Sequence, residues 1–534
     1  MDDRRDAGRG LRHGFALLFA VLSYFPGLIG PLHAAPPVVL LTPAAPGVPT
    51  DTGGSASSVV PGSISADGRY MVFTSSAPNL FPGLGTLQPA GSNVFLYDRM
   101  TGTLTLVSHA AGSTSTAANG PSYNAVISAD GRYVAYLSGA PDLIAGATIM
   151  SGGALYLFDR TTEVSVLVSH GSDSPTASPN SNSYSVAISD DGAYLAYVSI
   201  ASNLVAGQTD VRQSIFLYDR ASGNNTLVSH AYGQPATPPN GFSIAPLISS
   251  DGRYIAYVCD GSNLVAGQSL PPSGSPELNV FLYDRVAGAN VLVSHASGSL
   301  TTVSEGESLW LGMSKDGSAV AFIKEGADTI FDLSVSLYDS ASGALTLLAE
   351  DLTTQENSPV SSPVLSADGR YVAFASSASS LIPGQSDTNG AKDIFLYDRS
   401  TGTTTLISHQ SGSPLTTGDK ASTVASISDD GRYVAYQSQA THLIPGQLDG
   451  NSTDDLFLFD RTTGVSTLIS HNFQNPAATG AGASVSPVIN ADGTVVLFSS
   501  DAYDLVSGSD LNHASDVYLY DLSSQGNTLL SPHS

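Results

Sequence analysis

Residues 366–374 read Ser-Ala-Asp-Gly-Arg-Tyr-Val-Ala-Phe. An Asp-Gly pair between two apolar runs is typical of a hairpin turn in which Gly takes a positive φ. The pair recurs eight times, 52 to 65 residues apart, with its Asp at 67, 130, 191, 251, 316, 368, 430 and 492. Repeats of this size, made of short strands, indicate a propeller or a solenoid.

Two further landmarks follow the Asp-Gly pairs in a fixed order, the first in all eight units and the second in six. The first is Tyr-Asp or Phe-Asp, whose Asp stands at 98, 159, 219, 284, 339, 398, 460 and 521. The second is Ser-His, whose His stands at 109, 170, 230, 295, 409 and 471. The distance from Asp-Gly to Tyr/Phe-Asp varies from 23 to 33 residues, so the variation in length is concentrated in one loop of each unit.

The seventh unit predicts four strands, A to D, over residues 424–428, 433–438, 455–460 and 465–470. The centres of strands B and C, Tyr433–Tyr436 and Leu456–Phe459, are apolar without alternation. Strands of this kind are covered on both faces, and blades stacked around an axis provide that cover. The sequence therefore predicts an all-β fold, a single eight-bladed β-propeller of four-stranded antiparallel blades over residues 35–534.

The closure of the ring has two possible interpretations. Val38–Leu41 reads as an extra copy of strand D and could pair with the last blade. Asn527–Leu530 already offers that blade a strand D of its own. Either one of the two is surplus or the last blade has five strands.

The repeat resembles those of TolB-like and WD-repeat-like β-propellers across almost the whole chain. The Asp-Gly turn matches the turn between the inner strands of those families, Tyr-Asp-Arg takes the place of their Trp-Asp, and Ser-His that of their Gly-His. The resemblance implies the fold, and it implies a structural hydrogen bond for the repeated His. It implies no particular activity, because propellers host many unrelated roles.

The first 34 residues have the order of a secretory signal peptide. Arg4, Arg5, Arg9 and Arg12 precede an apolar run over residues 15–30, and Leu32-His33-Ala34 then supplies a cleavage site. A membrane anchor is the alternative, but the run is short for a span of about 20 residues and contains Pro26. We therefore expect cleavage near Ala34 and export to the periplasm or the exterior, with no insertion into the membrane.

The composition excludes several kinds of partner and bond. With 20 Lys and Arg against 46 Asp and Glu, the chain has a net charge of −26, which argues against binding to nucleic acid. Its one cysteine, Cys259, excludes a disulfide framework and a Cys-based zinc site. We expect a monomer.

Three loops between strands B and C carry a pattern of oxygen-bearing side chains. They contain Asp387, Asn389 and Asp393; Asp449, Asn451 and Asp455; and Asp510, Asn512 and Asp516. Alternating carboxylates and amides are suitable ligands for a hard cation such as Ca²⁺. The alternative is an Asx turn, in which these side chains bind the backbone. We predict no other cofactor and no catalytic residue.

The repeated His and Arg residues favour structural roles. One His per blade places neighbouring imidazoles far apart, beyond the distances of about 2 Å at which side chains share a metal. Five of the Arg follow Asp-Gly and six follow Tyr/Phe-Asp, positions at which a guanidinium braces a turn.

The long connections indicate where a ligand binds. In an up-and-down blade the B–C and D–A connections share one rim, and here they are the long and variable ones; binding residues concentrate on such loops. The sequence therefore predicts an exported, non-enzymatic scaffold that binds a protein or a cell-envelope glycan through this rim. The alternative is an extracellular polysaccharide lyase or glycoside hydrolase that uses carboxylates of the same loops.

Overall fold

The computed structural model describes residues 56–78, 80, 91–147, 149, 153–208, 210–271, 274, 276–326, 333–351, 362–507 and 514–531. Within these ranges the chain forms eight four-stranded antiparallel sheets, each made of consecutive strands A to D. This confirms the predicted eight-bladed propeller. The predicted signal peptide over residues 1–34 lies outside the described residues.

The strands of the first four blades are, in order, Ser57–Ser58, Tyr70–Ser75, Asn93–Asp98 and Thr103–Leu106; Ser122–Ile127, Tyr133–Ser138, Ala154–Asp159 and Val164–Leu167; Ser183–Ile188, Tyr194–Ser199, Ser214–Asp219 and Asn224–Leu227; and Ser243–Ile248, Tyr254–Cys259, Asn279–Asp284 and Ala289–Leu292.

Those of the last four are Ser308–Met313, Ala319–Glu325, Leu333–Asp339 and Ala344–Asp351; Val364–Leu365, Tyr371–Ser376, Asp393–Asp398 and Thr403–Leu406; Ser422–Ile427, Tyr433–Ser438, Asp455–Asp460 and Val465–Leu468; and Ser484–Ile489, Val495–Ser500, Asp516–Asp521 and Gly526–Leu529. Two small hairpins lie in D–A connections: His409–Gln410 with Ser413–Thr417 after blade 6, and His471–Asn472 with Asn475–Thr479 after blade 7.

The hydrophobic core lies between the blades. Each pair of neighbouring blades shares one cluster of buried apolar side chains, which explains why strands B and C are apolar on both faces. The cluster that joins blade 8 to blade 1 contains Leu497 and Leu519 together with Phe73 and Phe95. The ring is therefore closed by the same kind of packing that joins every other pair of blades.

A circle of backbone hydrogen bonds surrounds the axis near the Asp-Gly turns. In each blade an amide beside the turn donates to a carbonyl of the next blade, over 2.7 to 3.2 Å. The donors and acceptors are Ala66 to Ala129, Asp130 to Asp190, Asp190 to Ser250, Ser250 to Lys315, Asp316 to Ala367, Ala367 to Asp429, Asp429 to Ala491 and Ala491 to Ala66. The eighth bond, from Ala491 to Ala66, completes the circle.

The last blade contains its own strand D, Gly526–Leu529, as its sequence predicts. The first blade supplies its own strand A, Ser57–Ser58. Val38–Leu41 lies outside the described residues. The described strands thus close the ring through side-chain packing and the backbone circle, with no exchange of a strand between the first and the last blade.

The repeated His residues join neighbouring blades. His170, for example, is buried, its Nε2 lies 2.8 Å from the carbonyl oxygen of Gly223 in the next blade, and its ring meets Tyr218 of that blade edge-on. His295 and His409 approach Gly343 and Gly464 in the same way. The predicted structural hydrogen bond is thus confirmed for these three His. The rings of all six meet an aromatic ring of the next blade edge-on, whereas Nε2 of His109 has no hydrogen-bond partner among the described residues.

The Arg residues after Asp-Gly brace strand C of their own blade. In blade 7, Arg432 donates Nε to Oδ1 of Asp460 at 3.0 Å and Nη2 to Oδ2 at 2.8 Å. The guanidinium is the main reason why the pKa of Asp460 is lowered to about 2, since a bidentate charge-assisted pair favours the carboxylate. The same pair forms in four other blades, by Arg69, Arg132, Arg253 and Arg370.

We expect Asp460→Asn to lower the free energy of unfolding by about 1 kcal/mol at pH 7, the scale of an ion pair at the protein surface. A carboxyl whose pKa is depressed on folding contributes stability above its unfolded value near 4, and this stability is lost as the pH falls to about 2. Urea unfolding at pH 7 and at pH 2.5 measures the difference. Asp219→Asn is the matched control, because Ala193 stands in blade 3 where five other blades have Arg. Equal losses in the two variants would contradict the role of the guanidinium.

In the described residues we find no helix with the length and apolar character needed to cross a bilayer.

Candidate functional site

The two rims of the propeller carry different connections between the strands. We call the rim with the A–B and C–D turns the turn face, and the rim with the B–C and D–A connections the loop face. On the loop face of blades 4, 6 and 7, the B–C loop pairs with the D–A connection that follows the same blade, through parallel bridges at Ser269 and Thr302, Ser386 and Thr416, and Leu448 and Ala478. The long loops are thus held against each other and form a defined surface.

The Asp387–Asp393 loop of blade 6 is tied to the backbone. The Oδ1 atom of Asp387 accepts hydrogen bonds from the amides of Asn389 and Gly390, at 3.0 and 2.9 Å. Nδ2 of Asn389 donates to the carbonyl of Gly418 at 2.8 Å and lies 3.5 Å from Oδ2 of Asp393. The two residues therefore form the Asx turn that was the alternative to a cation site.

The Asp449–Asp455 loop of blade 7 repeats this arrangement. Oδ1 of Asp449 accepts from the amides of Asn451 and Ser452, at 3.1 and 2.9 Å. Oδ1 of Asn451 accepts from the amide of Thr453 at 2.9 Å, and its Nδ2 donates to carbonyls of the D–A connection. In both blades the Asn acts as a brace between the B–C loop and the connection beside it.

The last residue of each loop is a buried aspartate at the start of strand C. Asp393 and Asp455 are each 2% exposed, and each accepts a hydrogen bond from a serine hydroxyl, Ser408 at 2.8 Å and Ser470 at 3.2 Å. Burial, reinforced by the charge of Asp387, raises the pKa of Asp393 to about 8. Burial and the charge of Asp449 likewise raise the pKa of Asp455 well above its ordinary value.

The third predicted loop is described only in part. Asp510 and Asn512 lie outside the described residues. Asp516 is buried at the start of strand C of blade 8, and its Oδ1 accepts from the hydroxyl of Ser531 at 2.7 Å. It occupies the same place in its blade as Asp393 and Asp455 do in theirs.

In the portion of the chain that the structure describes, no three His, Cys, Asp or Glu side chains lie together in a way that would hold a metal ion. A cation in one of these loops would therefore need amide, hydroxyl or water oxygens beside the two carboxylates. Binding of Ca²⁺ stays a prediction.

A groove of about 620 Å³ lies on the loop face at blade 7. Its walls are the B–C loop and the D–A connection of that blade, with the lining residues Thr441, His442, Gln447–Gly450, Asn472 and Ala478–Ala481. His442 is exposed, and its Nδ1 lies 3.6 Å from Oδ2 of Asp419. The groove thus offers hydroxyl, amide, imidazole and carboxylate groups to a ligand.

A second group of ionisable side chains lies where blades 4 and 5 meet on the loop face, and the motifs of the sequence do not reveal it. Oε2 of Glu277 accepts a hydrogen bond from the amide of Gly306 at 2.8 Å, and burial, together with the charges of Glu307 and Glu305, raises the pKa of Glu277. Burial lowers the pKa of Lys324, and burial together with Glu307 raises the pKa of Glu325 to about 7. Four of the seven Glu residues of the chain belong to this group. This concentration of Glu is the feature of the sequence that could have indicated the group.

No protein-family model matches the chain, and no curated protein is detectably similar to it in sequence. Solved β-propellers are similar in fold. An oligogalacturonate lyase from Vibrio parahaemolyticus is 13% identical, with a TM-score of 0.42, over 89% of this chain and 92% of its own. An oligogalacturonate lyase in complex with manganese is 13% identical, with a TM-score of 0.41, over 93% and 98%. TolB from Acinetobacter baumannii is 17% identical, with a TM-score of 0.30, over 75% and 80%. At these identities the similarity concerns the fold alone.

Proposed function

We propose that the chain is an exported, non-enzymatic scaffold that binds a protein or a cell-envelope glycan on its loop face. The groove at blade 7 is the observation that carries this proposal. It is lined by short polar side chains and by backbone, and the described lining contains one carboxylate, Asp449, and one imidazole, His442. A glycoside hydrolase usually needs two carboxyl groups on either side of the scissile bond.

The charge of the protein favours a basic or cation-bearing partner. The net charge is −26, and charges of like sign repel across an interface. Many of the Arg residues are engaged on the turn face, in pairs such as that of Arg132 with Asp159. The loop face is therefore suited to a partner that presents basic groups or polar hydroxyls.

A lyase or hydrolase is the second candidate, and one contact favours it. His442 lines the groove with Asp419 beside it, and an imidazole oriented by a carboxylate can act as a general base. The base would remove a proton from a sugar or from water.

Binding and catalysis can be separated with one pair of variants. Gly450 lines the groove, and a Cβ atom built on it meets nothing within 4 Å, so Gly450→Trp should fold and fill the groove. Gly526→Trp is the matched control at the C–D turn of blade 8, where the nearest atom would lie 3.7 Å away. Immobilised wild type is used to capture proteins and glycans from an envelope extract, and the affinity for the captured component is then measured for all three proteins. We expect at least a tenfold loss in Gly450→Trp and no change in Gly526→Trp.

Equal affinities in both variants would place the binding surface elsewhere. The enzyme is tested by incubation with acidic and neutral polysaccharides and detection of unsaturated uronates and new reducing ends. Product formation by the wild type that is abolished in His442→Ala would overturn the non-enzymatic proposal.

A further inference from the structure

The Asp449–Asp455 loop has oxygen atoms that the Asx turn does not use. Oδ1 of Asp449 takes both backbone hydrogen bonds of the turn, which leaves Oδ2 available. Oδ1 of Asp455 accepts from the hydroxyl of Ser470 at 3.2 Å, and its carboxylate also accepts a hydrogen bond from the side chain of Asn451. Asp449 is partly exposed and lines the groove, whereas Asp455 is buried, and a buried carboxylate is costly unless a positive charge lies beside it.

Thr479 provides an independent indication of a ligand. Its side chain is 6% exposed, and its Oγ1 has no hydrogen-bond partner among the residues that the structure describes. The amide of Thr479 donates to the carbonyl of Leu448 at 3.0 Å, which places Thr479 beside Asp449. A buried hydroxyl without a partner destabilises the folded state, so the structure retains a polar atom here at a cost.

Blade 6 shows where this hydroxyl points. Thr417 is the counterpart of Thr479, and its Oγ1 lies 3.5 Å from Oδ1 of Asp387. In blade 6 the same Oγ1 accepts a hydrogen bond from the amide of Thr388 at 3.1 Å and is thereby satisfied. In blade 7, Oγ1 of Thr453 is a second buried hydroxyl oxygen that lacks a partner within the described ranges.

We propose that the Asp449–Asp455 loop binds one Ca²⁺ ion through the carboxylates of Asp449 and Asp455 and the hydroxyls of Thr453 and Thr479. Ca²⁺ takes six to eight oxygen ligands at about 2.3–2.6 Å in flexible geometry, and hydroxyls and waters are among the oxygens that complete such a shell. Asp449 and Thr479 also line the groove, so water can reach the ion from that side. Asn451 acts as the brace of the loop and is not a ligand in this arrangement.

The site would join the two walls of the groove. Asp449, Thr453 and Asp455 belong to the B–C loop, whereas Thr479 belongs to the hairpin Asn475–Thr479 of the D–A connection. A cation held by both would fix the width of the groove. The inference concerns the ion alone and does not depend on the partner proposed for the loop face.

The test measures Ca²⁺ binding by isothermal titration with CaCl₂, on protein first treated with a chelator. Asp449→Asn keeps the acceptor of the Asx turn and removes the charge. Thr479→Val keeps the shape of the side chain and removes a hydroxyl that loses no hydrogen bond in the described structure. Asp130→Asn is the control, because Asp130 makes a similar turn on the turn face, where its Oδ1 accepts from the amide of Arg132.

We expect Asp449→Asn to bind one equivalent of Ca²⁺ fewer than the wild type, Thr479→Val to bind that equivalent at least tenfold more weakly, and Asp130→Asn to match the wild type. With chelator present, Thr479→Val should melt at the wild-type temperature or above it, which separates the loss of a ligand from a loss of structure. The wild type should also melt a few degrees higher with CaCl₂ than with chelator, because an ion that binds only the folded state stabilises it. A wild type that binds no Ca²⁺, or variants that bind as many equivalents with unchanged affinity, would overturn the proposal.

Discussion

Replacing Gly131 by alanine is expected to destabilise the propeller by more than about 3 kcal/mol. Gly131 belongs to the Asp-Gly turn of blade 2 and has a φ of 70°. A Cβ atom at this position would lie 2.3 Å from Cδ2 of Tyr70 in blade 1, too close for any packed structure. The left-handed backbone costs an L-residue about 1–2 kcal/mol, and overpacking adds about 1–3 kcal/mol.

The ring of Tyr70 has little room to move. It is buried, and two guanidinium groups lie over it, that of Arg69 at 4.8 Å from its centroid and that of Arg160 at 4.0 Å. Arg160 belongs to the next blade and also donates its Nε to the carbonyl of Gly131 at 3.0 Å. A side chain on Gly131 would therefore disturb the junction between blades 1 and 2.

Gly146→Ala is the matched control for this prediction. Gly146 has a φ of 76°, but a Cβ atom on it would meet nothing within 4 Å. Its substitution should lower the free energy of unfolding only through the strain of the left-handed backbone, by about 1 kcal/mol. Urea unfolding midpoints, followed by tyrosine fluorescence, compare the two variants, and equal losses would show that the contact with Tyr70 contributes nothing.

The contact between the Asp-Gly glycine and a Tyr of the preceding blade is present in most blades, and the blades without this Tyr differ from the others in their Arg residues as well. In six blades the Asp-Gly glycine packs against the Tyr of the preceding blade; Gly369 and Gly68 instead meet Ala319 and Asn490 with Val495, respectively. The blades that lack this Tyr, blades 5 and 8, also lack the Arg before it. Their strand C aspartates, Asp339 and Asp521, pair with Arg399 and Arg99 of the following blades.

The repeat landmarks predict the blade well because hairpin turns and apolar strands are local features. In the seventh unit strands B and C begin and end at the predicted residues, and strand A, Ser422–Ile427, is displaced by one or two residues. The strand Asn475–Thr479 was not predicted, since its residues, Asn-Pro-Ala-Ala-Thr, include a Pro and do not alternate between apolar and polar. Arg160 was predicted to brace its own turn, whereas its guanidinium stacks on the ring of Tyr70 in the preceding blade. Sequence spacing alone does not indicate which blade a long side chain contacts.

Only a part of the candidate site could be predicted from the sequence. The alternating Asp and Asn residues of the B–C loops are visible in the sequence as a pattern of seven residues. Thr479 follows Asp449 by 30 positions and comes beside it only because the D–A connection pairs with the B–C loop at Leu448 and Ala478. Glu277 and Lys324 are 47 positions apart, and their charges act on each other only because blades 4 and 5 meet there. Contacts between connections of different lengths leave no periodic signal in a sequence.

Glu325→Gln is expected to stabilise the protein by about 3 kcal/mol at pH 8 and to change little at pH 4. Burial at the end of strand B of blade 5, with the charge of Glu307 beside it, raises the pKa of Glu325 from near 4.5 to about 7. The folded state therefore holds a proton that the unfolded state releases between these two values, so the free energy of unfolding falls as the pH rises from 4.5 to 7. A shift of one pKa unit corresponds to about 1.4 kcal/mol, and Gln avoids the cost of ionisation because it is neutral at every pH.

Urea unfolding of wild type and variant from pH 4 to pH 8 measures this difference. Glu163→Gln is the control, because Glu163 lies exposed on the C–D turn of blade 2 and its substitution removes the same formal charge. If Glu325→Gln raised the free energy of unfolding by the same amount at pH 4 and pH 8, the gain would come from the packing of the side chain and not from the charge of the carboxylate. A gain at pH 8 that Glu163→Gln reproduces would attribute the effect to the net charge of −26, since any loss of negative charge then relieves repulsion across the whole ring. Only a gain that grows between pH 4.5 and 7 in Glu325→Gln alone identifies burial at the junction of blades 4 and 5 as its cause.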